Sequence, residues 1–194
     1  MTSLLTHRYK TVYSMTMEIS VTSLRNYRDL VEKVDLLCRK IVTGYGEYLA
    51  CAKGCDDCCR HISLFPVEAY ALATALADLP DGMSEHIRDR ARRSPPDACP
   101  LLENGICLLY SFRPIICHTH GIPLLTSVEG KKVIDYCPKN FMGVTSLPSD
   151  AILNLDILNT TFAAINAVFI ASSENSAHLG NKRILIAEAL LIEE

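Results

Sequence analysis

Neither sign of charge dominates this chain: 19 Lys and Arg stand against 22 Asp and Glu in 194 residues, a formal net charge of -3. That balance gives no general attraction to a phosphate backbone, so no nucleic-acid partner is expected. An apolar leader is also lacking, because His7, Arg8, Lys10 and Glu18 interrupt the first twenty residues, and export is not indicated. The longest apolar segment, Ala151 to Ala171, contains Asn154, Asp156, Asn159, Thr160, Thr161 and Asn166. That polar load argues against a membrane span. Internal repeats, long linkers, a Ser-His-Asp set and a glycine-rich phosphate loop are all missing. At 49% hydrophobic and 21% charged residues, the chain is too apolar for disorder and long enough for one domain with its own core. The expectation is a cytoplasmic protein with a polar extension over residues 1–18 and a single domain over 19–194.

Cysteine is what the chain does have, and it is concentrated. Eight of the nine cysteines lie between Cys51 and Cys137. The first four are spaced Cys51-x3-Cys55-x2-Cys58-Cys59, followed by Cys99-x7-Cys107-x9-Cys117 and then Cys137. Thiolates are soft donors suited to zinc, copper(I), iron and iron-sulfur centres. In a reducing compartment, ligation is a better explanation of the cluster than a disulfide scaffold. The two-residue gap between Cys55 and Cys58 lets both sulfurs reach one ion. Continuing a helix through residue 59 would bring all four early cysteines onto one arc, since offsets of 0, 4, 7 and 8 nearly superpose. Adjacent Cys58 and Cys59 cannot point the same way. Eight thiols suffice for two four-coordinate ions or for one cluster with spare thiols. His118 and His120 flank Cys117, either as nitrogen ligands or as hydrogen-bonded loop residues. The spacing of the first three cysteines also matches radical S-adenosylmethionine enzymes, but a long helix leads into it and the chain is short for their barrel. Cys55-Asp-Asp-Cys58 likewise lacks the strand-helix-strand setting of a thioredoxin motif.

Periodicity organises the rest. Leu24, Tyr27, Val31, Val34, Cys38, Ile41, Tyr45 and Tyr48 form a three-four stripe on one helix, with Cys38 on its buried side as a core residue. Gly54 is the expected stop. Pro66 suits the first position of a helix over Val67 to Leu79, and another is expected from near Ser84 to the Pro95-Pro96 pair, its arginines on a solvated face. Residues 97–140 should be loop-rich, with a hairpin between Leu124–Val128 and Lys131–Asp135. A second stripe runs from Ile152 to Phe169, and a last helix is expected over Lys182 to Ile192.

The cysteine run, together with Cys99-Pro100-Leu101-Leu102, Gly105-x-Cys107, Tyr110, Arg113-Pro114, Cys117 and Cys137-Pro138, resembles the bacterial YkgJ-type cysteine cluster proteins. These are described as zinc- or iron-chelating domains. The resemblance covers about residues 51–140 and implies metal ligands at Cys51, Cys55, Cys58, Cys59, Cys99, Cys107, Cys117 and Cys137. The first gap is three residues here, where many relatives have two.

The reading is thus a mainly α fold, with helices packed around an irregular cysteine-rich metal-binding centre (51–140) and at most a small β-hairpin. Its function is chelation of zinc, iron or an iron-sulfur cluster, with the metal ion as partner and neither nucleic acid nor membrane. The rivals are an iron-sulfur redox or protein-modifying enzyme and a metal storage or delivery protein.

Overall fold

The computed structural model describes residues 24–52, 54–172 and 182–192; the expected extension over 1–18 lies outside them. Helix α1 (Arg25–Tyr45) follows the first stripe. It buries Tyr27, Leu30, Val34 and Ile41, with Val31, Cys38 and Tyr45 half-buried at the margin. The stripe does not carry the helix to Gly54. A 3-10 turn at Gly46–Tyr48 ends it, and the described residues from Leu49 to Cys59 are irregular. The expected arc of four cysteines on one helix is therefore absent.

Helix α2 (Pro66–Ala77) begins at its proline, whose missing N–H costs nothing at a helix start. It is buried almost all round and works as a central spine. Val67 and Tyr70 enter one apolar cluster with α1, while Ala69, Leu72 and Leu76 enter a second. Helix α3 (Asp81–Arg93) starts three residues before the expected Ser84, directly behind Pro80. Arg92 pairs with Glu85 and Asp89 at 2.8 and 2.7 Å on the solvated face that was expected. Ile87 and Ala91 join the second cluster.

The mainly α expectation fails on the strands: among the described residues seven of them form three small sheets. Strand β1 (Ser63–Leu64) pairs antiparallel with β7 (Ile184–Leu185), and β2 (Leu102–Glu103) with β3 (Ile106–Cys107). The expected hairpin forms in the register Val128↔Lys131 to Leu124↔Asp135, as β4 (Leu124–Val128) and β5 (Lys131–Asp135). Strand β6 (Leu153–Asn154) adds to β4 in parallel, giving the order β5-β4-β6. The fold is mixed α/β. Its helices pack around two apolar clusters, not around a cysteine-rich centre: the cysteine segments lend Leu101, Leu109, Ile115 and Ile122 to those clusters, whereas none of the nine cysteines is itself fully buried.

Short helix α4 (Ile115–Thr119) and long helix α5 (Leu155–Ser172) complete the first cluster, and α6 (Ile186–Ala189) the second. The expected last helix is only those four residues, since Ile184 and Leu185 are drawn into β7. By length and composition α5 is apolar enough to cross a membrane, with a mean hydropathy of 1.4, so its polar load does not set it apart as expected. Four of its residues, Leu158, Phe162, Asn166 and Phe169, face the core. Phe162 stacks near Tyr27 (centroids 5.8 Å) and edge-on to Phe65 (4.8 Å), locking α5 to α1 and to the start of α2. Asn166 accepts the Val67 N–H at 3.2 Å, satisfying a helix-start donor that has no partner within α2.

Glu68 is the one buried carboxylate among the described residues, 3% exposed. It accepts the Ile115 N–H at 2.8 Å and the Tyr27 hydroxyl at 3.3 Å. Burial raises its pKa from 4.5 to about 7, against the lowering effect of the Ile115 N–H, Arg183 and Tyr27. The native protein thus holds this proton more tightly than the unfolded chain, and stability should fall as pH rises from about 4.5 to about 7. Glu68→Gln keeps an acceptor for Ile115 and removes the ionisation. We expect it to match the parent near pH 4.5 and to exceed it by up to about 3 kcal/mol above pH 7. Urea unfolding at both pH values in the presence of chelator measures the difference, and a pH-independent difference would contradict the assignment.

Candidate metal centre

All nine cysteines are free thiols. The loop after α1 turns twice, through Cys55 N–H to Ala52 O (3.0 Å) and Cys59 N–H to Asp56 O (2.8 Å), with Gly54 at φ +93° between them. An isolated bridge between Arg60 and Ala98 then lays Cys59 beside the Cys99 segment. The β2-β3 hairpin turns at Asn104-Gly105, both at positive φ, and sets Cys107 opposite Leu102. Arg90 of α3 fixes this segment from behind. Its guanidinium donates to Pro100 O (3.0 Å), to Leu102 O (2.5 Å) and to Glu103 (3.0 Å), so it is not one of the solvated arginines.

Cys117 sits in α4. Arg113, just before that helix, stacks over the Tyr110 ring at 3.8 Å and donates to Tyr110 O (3.0 Å) and Cys117 O (3.2 Å). One flat cation thus ties the turn before α4 to the cysteine within it. His118 faces away: Nδ1 lies 2.5 Å from Asp35 Oδ1 and Nε2 lies 2.7 Å from Arg113 O. With both ring nitrogens held against oxygen acceptors, neither is free to ligate a metal. His120 is different. It is half-buried on the pocket wall, and burial, aided by the Arg113 charge, lowers its pKa and favours the neutral ring.

The last cysteine is brought in by polar stitching. Cys137 N–H reaches Gly121 O at 3.4 Å, and Lys139 forms an ion pair with Asp57 across the loops. Asn140, 1% exposed, donates to Gly121 O at 2.6 Å and to Cys51 Sγ at 3.3 Å, and accepts the Ala50 N–H at 2.8 Å. Gly121, at φ +89°, has no room for a side chain, because a Cβ there would lie 2.6 Å from Cys51 Sγ.

Seven of the eight candidate ligands, Cys51, Cys55, Cys58, Cys59, Cys99, Cys107 and Cys117, line one pocket of about 650 Å³. Cys137 lies just outside its lining, at the Gly121 contact. Mutual repulsion among neighbouring thiols links two overlapping groups that meet at Cys58 and Cys59. Cys58 is raised by burial and then by Cys51, Cys55 and Cys137. Cys59 is raised to about 11 by burial and then by Cys58, Cys99 and Cys107, and Cys117 to about 12 by burial and then by Cys99 and Cys107. Among the described residues no three His, Cys, Asp or Glu side chains converge closely enough to hold an ion. Burial keeps several of these thiols protonated, and Cys99 and Cys107 pack as small apolar groups against the second cluster. No protein-family model, curated protein or solved structure matches the chain.

Asn140 and Gly121 have no role in the sequence reading, and Arg90 enters it only as part of a solvated helix face. Gly121 gives the sharpest test. Alanine there carries a left-handed backbone cost and a clash with Cys51, and we expect Gly121→Ala to lower stability by about 1–3 kcal/mol and to speed alkylation of Cys51. Urea midpoints and peptide mass spectrometry after brief alkylation measure both, and parent-like values would show that Gly121 does not hold the Cys51 corner.

Proposed function

We propose that the protein chelates zinc, iron or an iron-sulfur centre through two sets of four thiols, Cys51, Cys55, Cys58, Cys137 and Cys59, Cys99, Cys107, Cys117. The observation that carries this reading is that seven cysteines distant in sequence line one pocket, with Cys137 beside it at the Gly121 contact. The donor chemistry fits: the sulfurs are reduced, and the Asn140 amide already donates to one of them. The resemblance to YkgJ-type proteins points the same way. Local movement of the loops is part of the proposal, since the thiols do not yet converge.

The residues around the thiols have defined tasks in this reading. Arg113 and Lys139 supply positive charge beside a thiolate set that would carry an excess of negative charge. Gly121 and Asn140 hold Cys51 and Cys137 together. A bound ion supplies binding free energy, of order 10–16 kcal/mol in small zinc peptides. His120 is the remaining nitrogen donor in the pocket. A second reading, chemistry on a small molecule beside the metal, is favoured by the pocket volume of about 650 Å³, which falls in the range of ligand sites.

Anaerobic purification followed by elemental analysis and an absorption spectrum tests the proposal. Stoichiometric zinc or iron is expected. The double variants Cys55→Ser/Cys58→Ser and Cys99→Ser/Cys107→Ser should each lose about half of it. Because Cys59 and Cys117 are pushed up to about 11 and 12, loading should release protons and weaken as pH falls. Metal-free protein that takes up neither ion, or double variants with parental content, would overturn the reading.

A further inference from the structure

We propose that the free edge of β5 is a self-association site that pairs antiparallel with β5 of a second copy, about a two-fold axis through Val133. Strand β5 is the outer strand of its sheet, and all five of its residues are exposed. They include Val133 at 42% and Ile134 at 38%. Nothing in the described fold covers this edge, and Lys131, Lys132 and Asp135 make no ion pair among the described residues.

The alternation of the hairpin fixes which groups are free. Its turn has two residues, Glu129 at φ +51° and Gly130 at φ +76°, between the partners Val128 and Lys131. The pair flanking such a turn exchanges both backbone hydrogen bonds. Lys131, Val133 and Asp135 therefore bond inward to β4, while Lys132 and Ile134 turn their N–H and C=O groups outward. A second β5 running antiparallel and centred on Val133 meets those groups in register. Lys132 of each copy faces Ile134 of the other, giving four interstrand backbone hydrogen bonds, and Val133 faces its own copy as a non-hydrogen-bonded pair.

Charge selects the partner and the register. The sequence Lys131-Lys132-Val133-Ile134-Asp135 is self-complementary in this arrangement, because each Lys131 lies opposite an Asp135, twice by symmetry. Sliding one step toward the turn sets Lys132 against Lys132. Sliding the other way places Asp135 opposite Val133 and leaves both Lys131 side chains unpaired, and parallel pairing stacks lysine on lysine. Edge lysines ordinarily guard a strand against indiscriminate pairing. Here they guard every register but one, and that one is satisfied by a second copy of the same strand. A contact of five residues per chain is smaller than the roughly 800 Å² per partner of a standard interface, so the dimer is weak and concentration-dependent.

Sedimentation velocity on the full chain at low salt, from about 5 μM to about 1 mM, tests this over the range where small interfaces populate. The sedimentation coefficient should rise with concentration. Lys131→Asp and Asp135→Lys should each remain monomeric. An equimolar mixture of the two should associate again, since it restores both ion pairs; misfolded variants could not recover. Ile134→Pro, which removes an outward N–H and no bond to β4, should also stay monomeric. Amide exchange at Lys132 and Ile134 should slow with concentration, with Lys131 and Val133 unaffected. A parent monomeric at 1 mM, association indifferent to the single charge reversals, or a mixture that fails to recover would each overturn the proposal.

Discussion

Glu68 carries a carboxylate into the interior, and much of the surrounding structure is arranged by the need to satisfy it. Its oxygen receives the N–H of Ile115, the first residue of α4, a donor that the helix itself cannot pair. The side chain of one helix thus caps the start of another, 47 residues further along. Tyr27 of α1 donates to the same oxygen and, through Phe162, is packed against α5. Three helices and the cysteine-bearing turn meet at this point. With Ile115 held, the short helix α4 can present Cys117 to the pocket while His118 turns back to Asp35 of α1. Removing the acceptor would leave a buried N–H without a partner, a loss of order 1–3 kcal/mol.

Outside that anchor the cysteine segments are held by Leu101, Leu109 and Ile122, which enter the two apolar clusters, and by polar contacts. Arg90 binds the carbonyls around Leu101, Arg113 binds those of Tyr110 and Cys117, and Asn140 joins the loop after α1 to Gly121. Each donor serves several acceptors at once and is fixed at its base by a regular element or a close-packed turn. Phe141, next to Asn140, inserts between Tyr45, Tyr48 and Tyr136 and takes a backbone bond from Phe141 N–H to Tyr48 O. The end of α1 is thereby committed to the region following Cys137.

That commitment explains where sequence reasoning succeeded and failed. The β4-β5 hairpin was legible because its turn, its register and its strands are all local. Pro66 marked α2 for the same reason, and the stripes on α1 and α5 were read from spacing alone. Tyr45 and Tyr48 continue the α1 stripe, yet Tyr48 belongs to a 3-10 turn held by Phe141, a contact across 93 positions that periodicity does not reveal. Strands of two residues, such as Ser63–Leu64 against Ile184–Leu185, have no period to detect and exist only through distant partners. The cysteines of the site stood out by residue type. Asn140 and Gly121 did not, because their significance lies in their distance from Cys51, which no spacing encodes.

The adjacent pair Cys58-Cys59 bears on how such a site can be organised. Consecutive side chains in a non-helical segment leave the backbone in different directions, so two neighbouring thiols are poorly placed to share one small ion. In this fold the divergence is built in: Cys59 leads into the Arg60–Ala98 bridge and toward Cys99 and Cys107, whereas Cys58 remains with Cys51, Cys55 and Cys137. A loop with a single cysteine at that point would serve one neighbourhood. Two consecutive cysteines would serve both and would couple them, since a thiolate at Cys58 raises the pKa of Cys59. On the reading of two thiolate sets, filling one would change the cost of ionising the other. The peptide bond between residues 58 and 59 would then be the element through which the two halves of the pocket communicate.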